Sequence, residues 1–566
     1  MMLQALTRYY ERRAGAIAPP GWESKEIPFL IVLDREGTPH GVIDNREGTG
    51  KKKRTKIFLV PQAVKRSSGK AANLLWDKPD YSLASISDEK ALLFVKRIED
   101  LKLSGNPSIM AVLNFLRRED KTELLKKFPA WRDIDETGPF LSFMMADQVE
   151  PVFREPDIVK RISEMHSIQE PEARKGICLV TGSQDIIERL HPPIKGVLDA
   201  QSTGANIISF NEDAYCSYGK GQGDNAPVGK TAAFAYTTAL NALLGKDSRQ
   251  KIQAGDATTV FWSEKPNSLE EDFALILDPP PDDPDRGSDR VRALLNSPKS
   301  GAWLEDDDQN RFYVLGLAPN AGRIAIRFWI TDTIAGMADH IRQHFEDTRI
   351  IHAPGLPESL SLSSLLRQTA ALGKTKNIPP NLSGDVMRSI LTGSRYPQTL
   401  LGNLIQRIRA DRELLYGRAA LIKAWINRKT RKDSNNLEKE ELKVSLDKDN
   451  INPGYRLGRL FAALEKTQTD AYDKLNRTIL DRYYAAASSR PASVFGTLLR
   501  LKIHHLAKID NPGWRISREK VFSEILDGIS DFPQILSLED QGRFAIGYYH
   551  QMQDFYTSKK DAEKGS

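Results

Sequence analysis

From about residue 360 onward the chain offers no strand pattern, and this constrains its last third to helices. Within that stretch Leu401, Ile408, Leu415 and Ile422 recur every seven residues, with Leu404, Ile405 and Trp425 on the same flank. Apolar residues at this spacing line one side of a helix, so one long helix is expected across all four. Arg407, Arg409, Arg412, Arg418, Lys423 and Arg428 decorate the same segment. Ser537-Leu538-Glu539-Asp540 has the form of a capping box that opens a last helix. Residues 359–566 are therefore expected to form an all-α bundle.

The preceding residues mix both periods. A short amphipathic helix ends at the turn-rich Ala18-Pro19-Pro20-Gly21, and strands are expected at Phe29–Leu33 and Ile57–Val60. Ala91, Phe94, Val95, Ile98 and Leu101 predict a helix over residues 87–103. Further strands are expected at Ile177–Val180, Ile207–Phe210 and Thr258–Trp262. A helix should run from Thr231 to a left-handed cap at Gly245. Arg311–Leu317 and Arg323–Ile330 flank Ala318-Pro319-Asn320-Ala321-Gly322 as a hairpin. The proline-dense Asp278–Asp285 reads as a surface loop. The fold class is α+β, a mixed α/β N-terminal region followed by the helical bundle. The expected domains are a basic region over 1–115, a mixed core over 116–358 and the bundle over 359–566.

Phosphate chemistry is the first function to test. Gly229-Lys230-Thr231 ends like a nucleotide-binding P-loop, but Gly223 lies one residue too far upstream and Asp224 stands where glycine is required. A carboxylate there would face phosphate oxygens. Phe273–Asp278 resembles the accompanying hydrophobic strand ending in aspartate, yet it runs into prolines. His340 and His344 have the i, i+4 spacing of a zinc pair without the glutamate or a third ligand, and a solvated helix explains them as well. His504-His505 has no aspartate or serine at a telling distance. No nucleophile or metal constellation emerges, so no enzyme activity, cofactor or metal is expected.

Composition narrows the partners. The 566 residues allow two to four domains, and 40% hydrophobic with 28% charged residues describe a folded chain. A net charge of +6 allows a polyanion without demanding one, so local clustering must decide. Cys178 and Cys216 are far apart and form no CxxC pair, which fits a reducing cytoplasm. The N-terminus carries no secretory h-region, and no apolar run is long enough for a bilayer span, so no membrane partner is expected.

The clustering is local. Lys51, Lys52, Lys53, Arg54, Lys56, Lys65, Arg66 and Lys70 place eight cations in twenty residues, interleaved with glycine and Ser68. Small residues let backbone approach phosphates, so nucleic-acid contact is expected here, against the alternative of a solvated loop. Asn73 could address a base edge or cap a turn. Tyr218-Gly219-Lys220-Gly221-Gln222-Gly223-Asp224-Asn225 alternates glycine with polar groups, as a loop touching a polyanion would.

Strings along nearly the whole chain resemble one family. Ile57-Phe58-Leu59-Val60-Pro61-Gln62, Asn73-Leu74-Leu75-Trp76-Asp77 and Leu190-His191-Pro192-Pro193-Ile194-Lys195-Gly196-Val197 are similar to the large subunit of the type I-C CRISPR surveillance complex, Cascade. So are Asn225-Ala226-Pro227-Val228, Asn452-Pro453-Gly454-Tyr455-Arg456-Leu457-Gly458 and Leu538-Glu539-Asp540-Gln541-Gly542. The resemblance implies a non-catalytic subunit near the 5′ handle of the CRISPR RNA. Its implied protein neighbours are the handle-processing, backbone and small subunits. It implies reading of a protospacer-adjacent motif in double-stranded DNA, help in strand opening, and recruitment of the helicase–nuclease. By analogy with related large subunits, Lys220, Gln222 and Asn225 in the glycine loop are candidate DNA contacts, with Lys70, Asn73, Gln201 and Ser202 as rivals. The bundle resembles small subunits that line nucleic-acid strands, which makes Arg407, Arg409, Arg412 and Arg418 candidate strand contacts. A separate small subunit from an internal start, with Met387 suitably placed, is a further implication. Alternatives are a nucleic-acid-dependent NTPase and a pure ribonucleoprotein scaffold.

Overall fold

A computed structural model describes residues 1–48, 54–64, 70–167, 174–278, 289–295, 309–379, 381–436, 439–472 and 475–557. The chain divides into two compact units, Leu3–Pro192 with Ser209–Leu240, and Pro193–Ile208 with Asn241–Ser566. The fold is α+β, with small sheets in the N-terminal half and helices after residue 333.

In the first unit, Phe29–Leu33 and Leu141–Met145 lie side by side in parallel, with Ile31 opposite Phe143. Pro39–Asp44 and Trp76–Asp77 flank them in a four-stranded sheet. A parallel pair needs a long crossover, and residues 79–137 supply it with helices. One of these is Glu89–Glu99, where Asp88 accepts the Lys90 N–H as N-cap and Ala91, Phe94, Val95 and Ile98 are buried at the spacing read from sequence. Phe29, Ile31, Phe94, Phe115 and Phe143 are completely buried. Each such side chain stabilises the core by roughly 1.5–3 kcal/mol. Trp22–Glu26 pairs with Ile57–Pro61, and the Trp76 indole Nε1 donates to the Pro61 carbonyl at 2.8 Å.

The second unit begins with an antiparallel meander of Lys251–Ala254, Ala257–Ser263, Arg311–Asn320 and Arg323–Thr333. The expected hairpin is present, turning at Ala321 with φ 51°. The helices Pro453–Ala471 and Leu538–Tyr556 then pack with glycine at the contact. A Cβ at Gly458 would lie 2.0 Å from the Phe544 carbonyl oxygen, and one at Gly547 would lie 2.0 Å from that of Tyr455. Ser537 caps the last helix by accepting the Asp540 N–H.

Several expectations fail for physical reasons. The long helix over 401–422 is two helices, Gln398–Asp411 and Tyr416–Ser434, because Arg412 adopts a left-handed φ of 55°. Leu415 falls in the break and is 38% exposed. Ile207–Phe210 forms no strand, and only Ile177 of Ile177–Val180 belongs to one. The helix from Lys230 stops at Leu243, and Gly245 is not left-handed. Lys251 Nζ instead donates to the carbonyls of Leu244 and Gly245. Phe273–Leu277 is helical and not a strand. His344 is buried, with Nδ1 2.6 Å from the Tyr396 hydroxyl, so the helix is not simply solvated. Residues 279–285 of the proline-dense loop lie outside the described residues.

Candidate nucleic-acid interface

The loop from Ser217 to Asn225 has a fixed base and a bare tip. Asn225 Oδ1 accepts the Ser217 N–H at 2.9 Å, and its Nδ2 donates to the carbonyls of Lys220 and Gln222 at 3.0 Å each. One carboxamide therefore ties three points of the turn. A Cβ at Gly223 would lie 2.3 Å from the Glu188 carbonyl oxygen, so glycine alone lets the base close there. Arg174 pairs with Asp224, and Arg189 Nη1 donates to Gln222 Oε1 at 2.6 Å. Tyr218, Gly219, Lys220 and Gly221 remain at the tip, all exposed. Nothing lies within 4 Å of a Cβ built at Gly219 or Gly221. Lys220 enters no ion pair among the described residues. Tyr218 is 98% exposed, with φ 54°. Sequence reasoning passed over Tyr218, although a ring beside alternating glycines was the available signal.

The helix Lys230–Leu243 starts where the P-loop-like ending predicted, but its N-terminus is already occupied. Asp185 Oδ2 accepts the Thr231 N–H at 3.2 Å, and a Cβ at Gly229 would lie 2.3 Å from that same oxygen. A bound phosphate would need this place, and the carboxylate repels it. The Asp278 segment belongs to the other compact unit.

The basic stretch is only partly placed. Arg54 is exposed in a two-residue strand paired with Arg46–Glu47. Lys56 is exposed, its Nζ 5.0 Å from the Phe58 ring centroid. Lys51, Lys52, Lys53, Lys65, Arg66 and Ser68 lie outside the described residues. Lys70 pairs with Glu89, and that hydrogen bond raises its pKa. Of its two readings, Asn73 takes the turn. It is 3% exposed, its Oδ1 accepts the Val64 N–H, and its own N–H donates to Asp77, so it braces a turn and presents no face to a base. Gln201 and Ser202 are exposed, in a turn closed by the Gly204 N–H on the Gln201 carbonyl at 2.9 Å. They belong to the second unit, whereas the glycine loop belongs to the first.

The arginines of the bundle divide by the break at Arg412. Arg412 itself is exposed. Arg407 pairs with Asp411, and Arg409 Nη2 donates to Gln541 Oε1 at 2.8 Å. Arg418 is 4% exposed, donates to the Glu413 carbonyl and pairs with Asp411, so it is a structural cation and not a surface contact. Burial alone would raise the Asp411 pKa, but Arg407 and Arg418 hold it below the usual carboxylate range. Lys423 and Arg428 also point inward. Arg428 Nε donates to the fully buried Asp347 at 2.9 Å, and Arg431 pairs with the other carboxylate oxygen. Met387 is buried within the helix Leu382–Thr392. Among the described residues no helix is long and apolar enough to cross a membrane.

The chain combines α+β architecture, a helical C-terminal region and an exposed glycine loop. The family model described as CRISPR-associated protein (Cas_Csd1) matches residues 6–556, nearly the full chain. The chain belongs to this family, the large subunit of type I-C CRISPR complexes. No curated protein matches it.

Proposed function

We propose that this chain reads the protospacer-adjacent motif in double-stranded DNA, helps part the strands and recruits the helicase–nuclease, without catalysing a reaction itself. Sequence specificity beyond the motif is then left to base pairing with the CRISPR RNA, and the protein contributes backbone contacts and motif contacts. The 5′ handle and the handle-processing, backbone and small subunits are its neighbours in this reading. The observation that carries the proposal is the glycine loop, whose base is fixed by Asn225 and whose tip offers bare backbone and Lys220. Bare backbone suits close approach to a groove, and Lys220 suits a phosphate. Arg54 and Lys56 add exposed cations in the same unit.

The test is binding of the reconstituted complex to duplexes with and without the motif. We expect tighter binding to the motif duplex, with Lys220→Ala reducing it several-fold. Equal affinity for both duplexes would overturn motif reading and favour the scaffold alternative.

A further inference from the structure

Lys423 is a buried cation without a counter-charge of its own. Its side chain lies wholly inside the helical unit, on the helix Tyr416–Ser434. Among the described residues it makes one hydrogen bond, from Nζ to the Asp347 carbonyl at 3.3 Å, and no ion pair. The Asp347 carboxylate is already taken, because Arg428 and Arg431 occupy its two oxygens. Glu440, whose charge also reaches Lys423, is exposed. A buried ammonium requires an opposite charge and acceptors for its remaining N–H groups. A second donor in need of an acceptor stands on the helix Leu538–Tyr556, which packs on the first. His550 is 1% exposed there, and the charge of Lys423 bears on its ring. The Tyr455 hydroxyl oxygen accepts the Asp447 N–H at 3.0 Å, and His550 Nδ1, 2.9 Å away, takes the hydroxyl proton. A neutral imidazole that accepts at Nδ1 carries its own proton on Nε2. That Nε2 has no partner among the described residues.

We propose that Lys423 Nζ and His550 Nε2 hold a buried chloride that ties the helices Tyr416–Ser434 and Leu538–Tyr556 together. Two donors and an excess positive charge select the guest. A water accepts from both donors but brings two O–H groups that need acceptors of their own. Chloride accepts only, and its charge offsets the ammonium that Asp347 leaves unpaired. The site is independent of the proposed DNA contacts, and its failure would leave motif reading untouched.

The experiment follows amide hydrogen exchange of these two helices in the full chain as chloride replaces gluconate at fixed ionic strength. A guest held only by the folded state slows exchange in proportion to its concentration. Above the dissociation constant, about tenfold more chloride should therefore slow exchange about tenfold. Lys423→Met keeps the apolar stem and removes the charge, so its exchange should be indifferent to the anion even if the variant is less stable. Crystals of the unchanged chain grown in bromide test the site without any variant. They should show anomalous scattering within hydrogen-bond reach of both Lys423 Nζ and His550 Nε2. Exchange indifferent to chloride in the unchanged chain would overturn the proposal, as would an equal chloride dependence in Lys423→Met. A bromide signal at surface positions only, or a water between the two side chains, would overturn it as well.

Discussion

Two glycine-to-alanine changes in the helical unit should move stability in opposite directions. At Gly547 the added Cβ would lie 2.0 Å from the Tyr455 carbonyl oxygen and 2.9 Å from its carbon, both backbone atoms of a packed helix. No side chain can swing aside, so the Pro453–Ala471 and Leu538–Tyr556 helices must part by on the order of 1 Å in an interior that packs like a crystal. Overpacking of this kind costs about 1–3 kcal/mol. Parting also strains the buried hydrogen bond between the Tyr455 hydroxyl and His550 Nδ1, now 2.9 Å long, which contributes about 1 kcal/mol. Against this, alanine gains roughly 0.8–1.0 kcal/mol of helix propensity over glycine. The net expectation for Gly547→Ala is a loss of about 1–3 kcal/mol. Gly402 sits mid-helix in Gln398–Asp411 with nothing within 4 Å of a Cβ, so Gly402→Ala keeps the propensity gain alone, about 0.8–1.0 kcal/mol. Native-state hydrogen exchange of amides in the two crossing helices reads this unit without interference from the first. Wild-type stability in Gly547→Ala, or a loss in Gly402→Ala equal to that in Gly547→Ala, would refute the close-contact reasoning.

Other expectations follow from the same geometry. Burial, aided by Arg428 for His344 and by Lys423 for His550, pushes both histidines down to about 3. The fold holds them neutral while the unfolded chain titrates near its ordinary value of about 6.5, so stability is lost as pH falls below that value. The loss grows by up to about 1.4 kcal/mol per pH unit for each histidine until pH approaches 3. Denaturation midpoints between pH 7 and 4 should show it, and a flat profile would count against burial of these rings. Asp347→Ala leaves the buried Arg428 and Arg431 without their carboxylate and should cost about 3–5 kcal/mol. An unchanged melting temperature would refute that cluster. Asn225→Ala should weaken DNA binding by the complex several-fold while leaving its thermal melting unaltered, since the loop it ties is exposed. Unimpaired binding would mean the loop needs no fixed base.

Much of the architecture was legible from local patterns. The helix over Glu89–Glu99, the Arg311–Thr333 hairpin and the Ser537 cap follow from spacing, turn residues and a capping side chain, all of which act within a few residues. The defective P-loop was legible too, because missing glycines cannot be supplied from elsewhere. What misled the reading was the side a residue faces. Arg418, Lys423 and Arg428 look like surface charge in sequence, yet each is itself buried and bonded, and Asp347 lies 81 positions before Arg428. The two readings of Asn73 separate only in the fold, where Val64 and Asp77 take up its hydrogen bonds.

The sequence by itself determined the α+β class, the helical C-terminal third and the irregular spacing before Gly229-Lys230-Thr231, since periodicity and glycine placement are local properties. Tertiary structure alone decided which cations are free. A charge is spent or available according to carboxylates and carbonyls brought together across long stretches of chain, and no local pattern encodes that. By that measure Arg418 and Arg428 are spent on the core, while Lys220, with Tyr218 beside it, is left facing solvent.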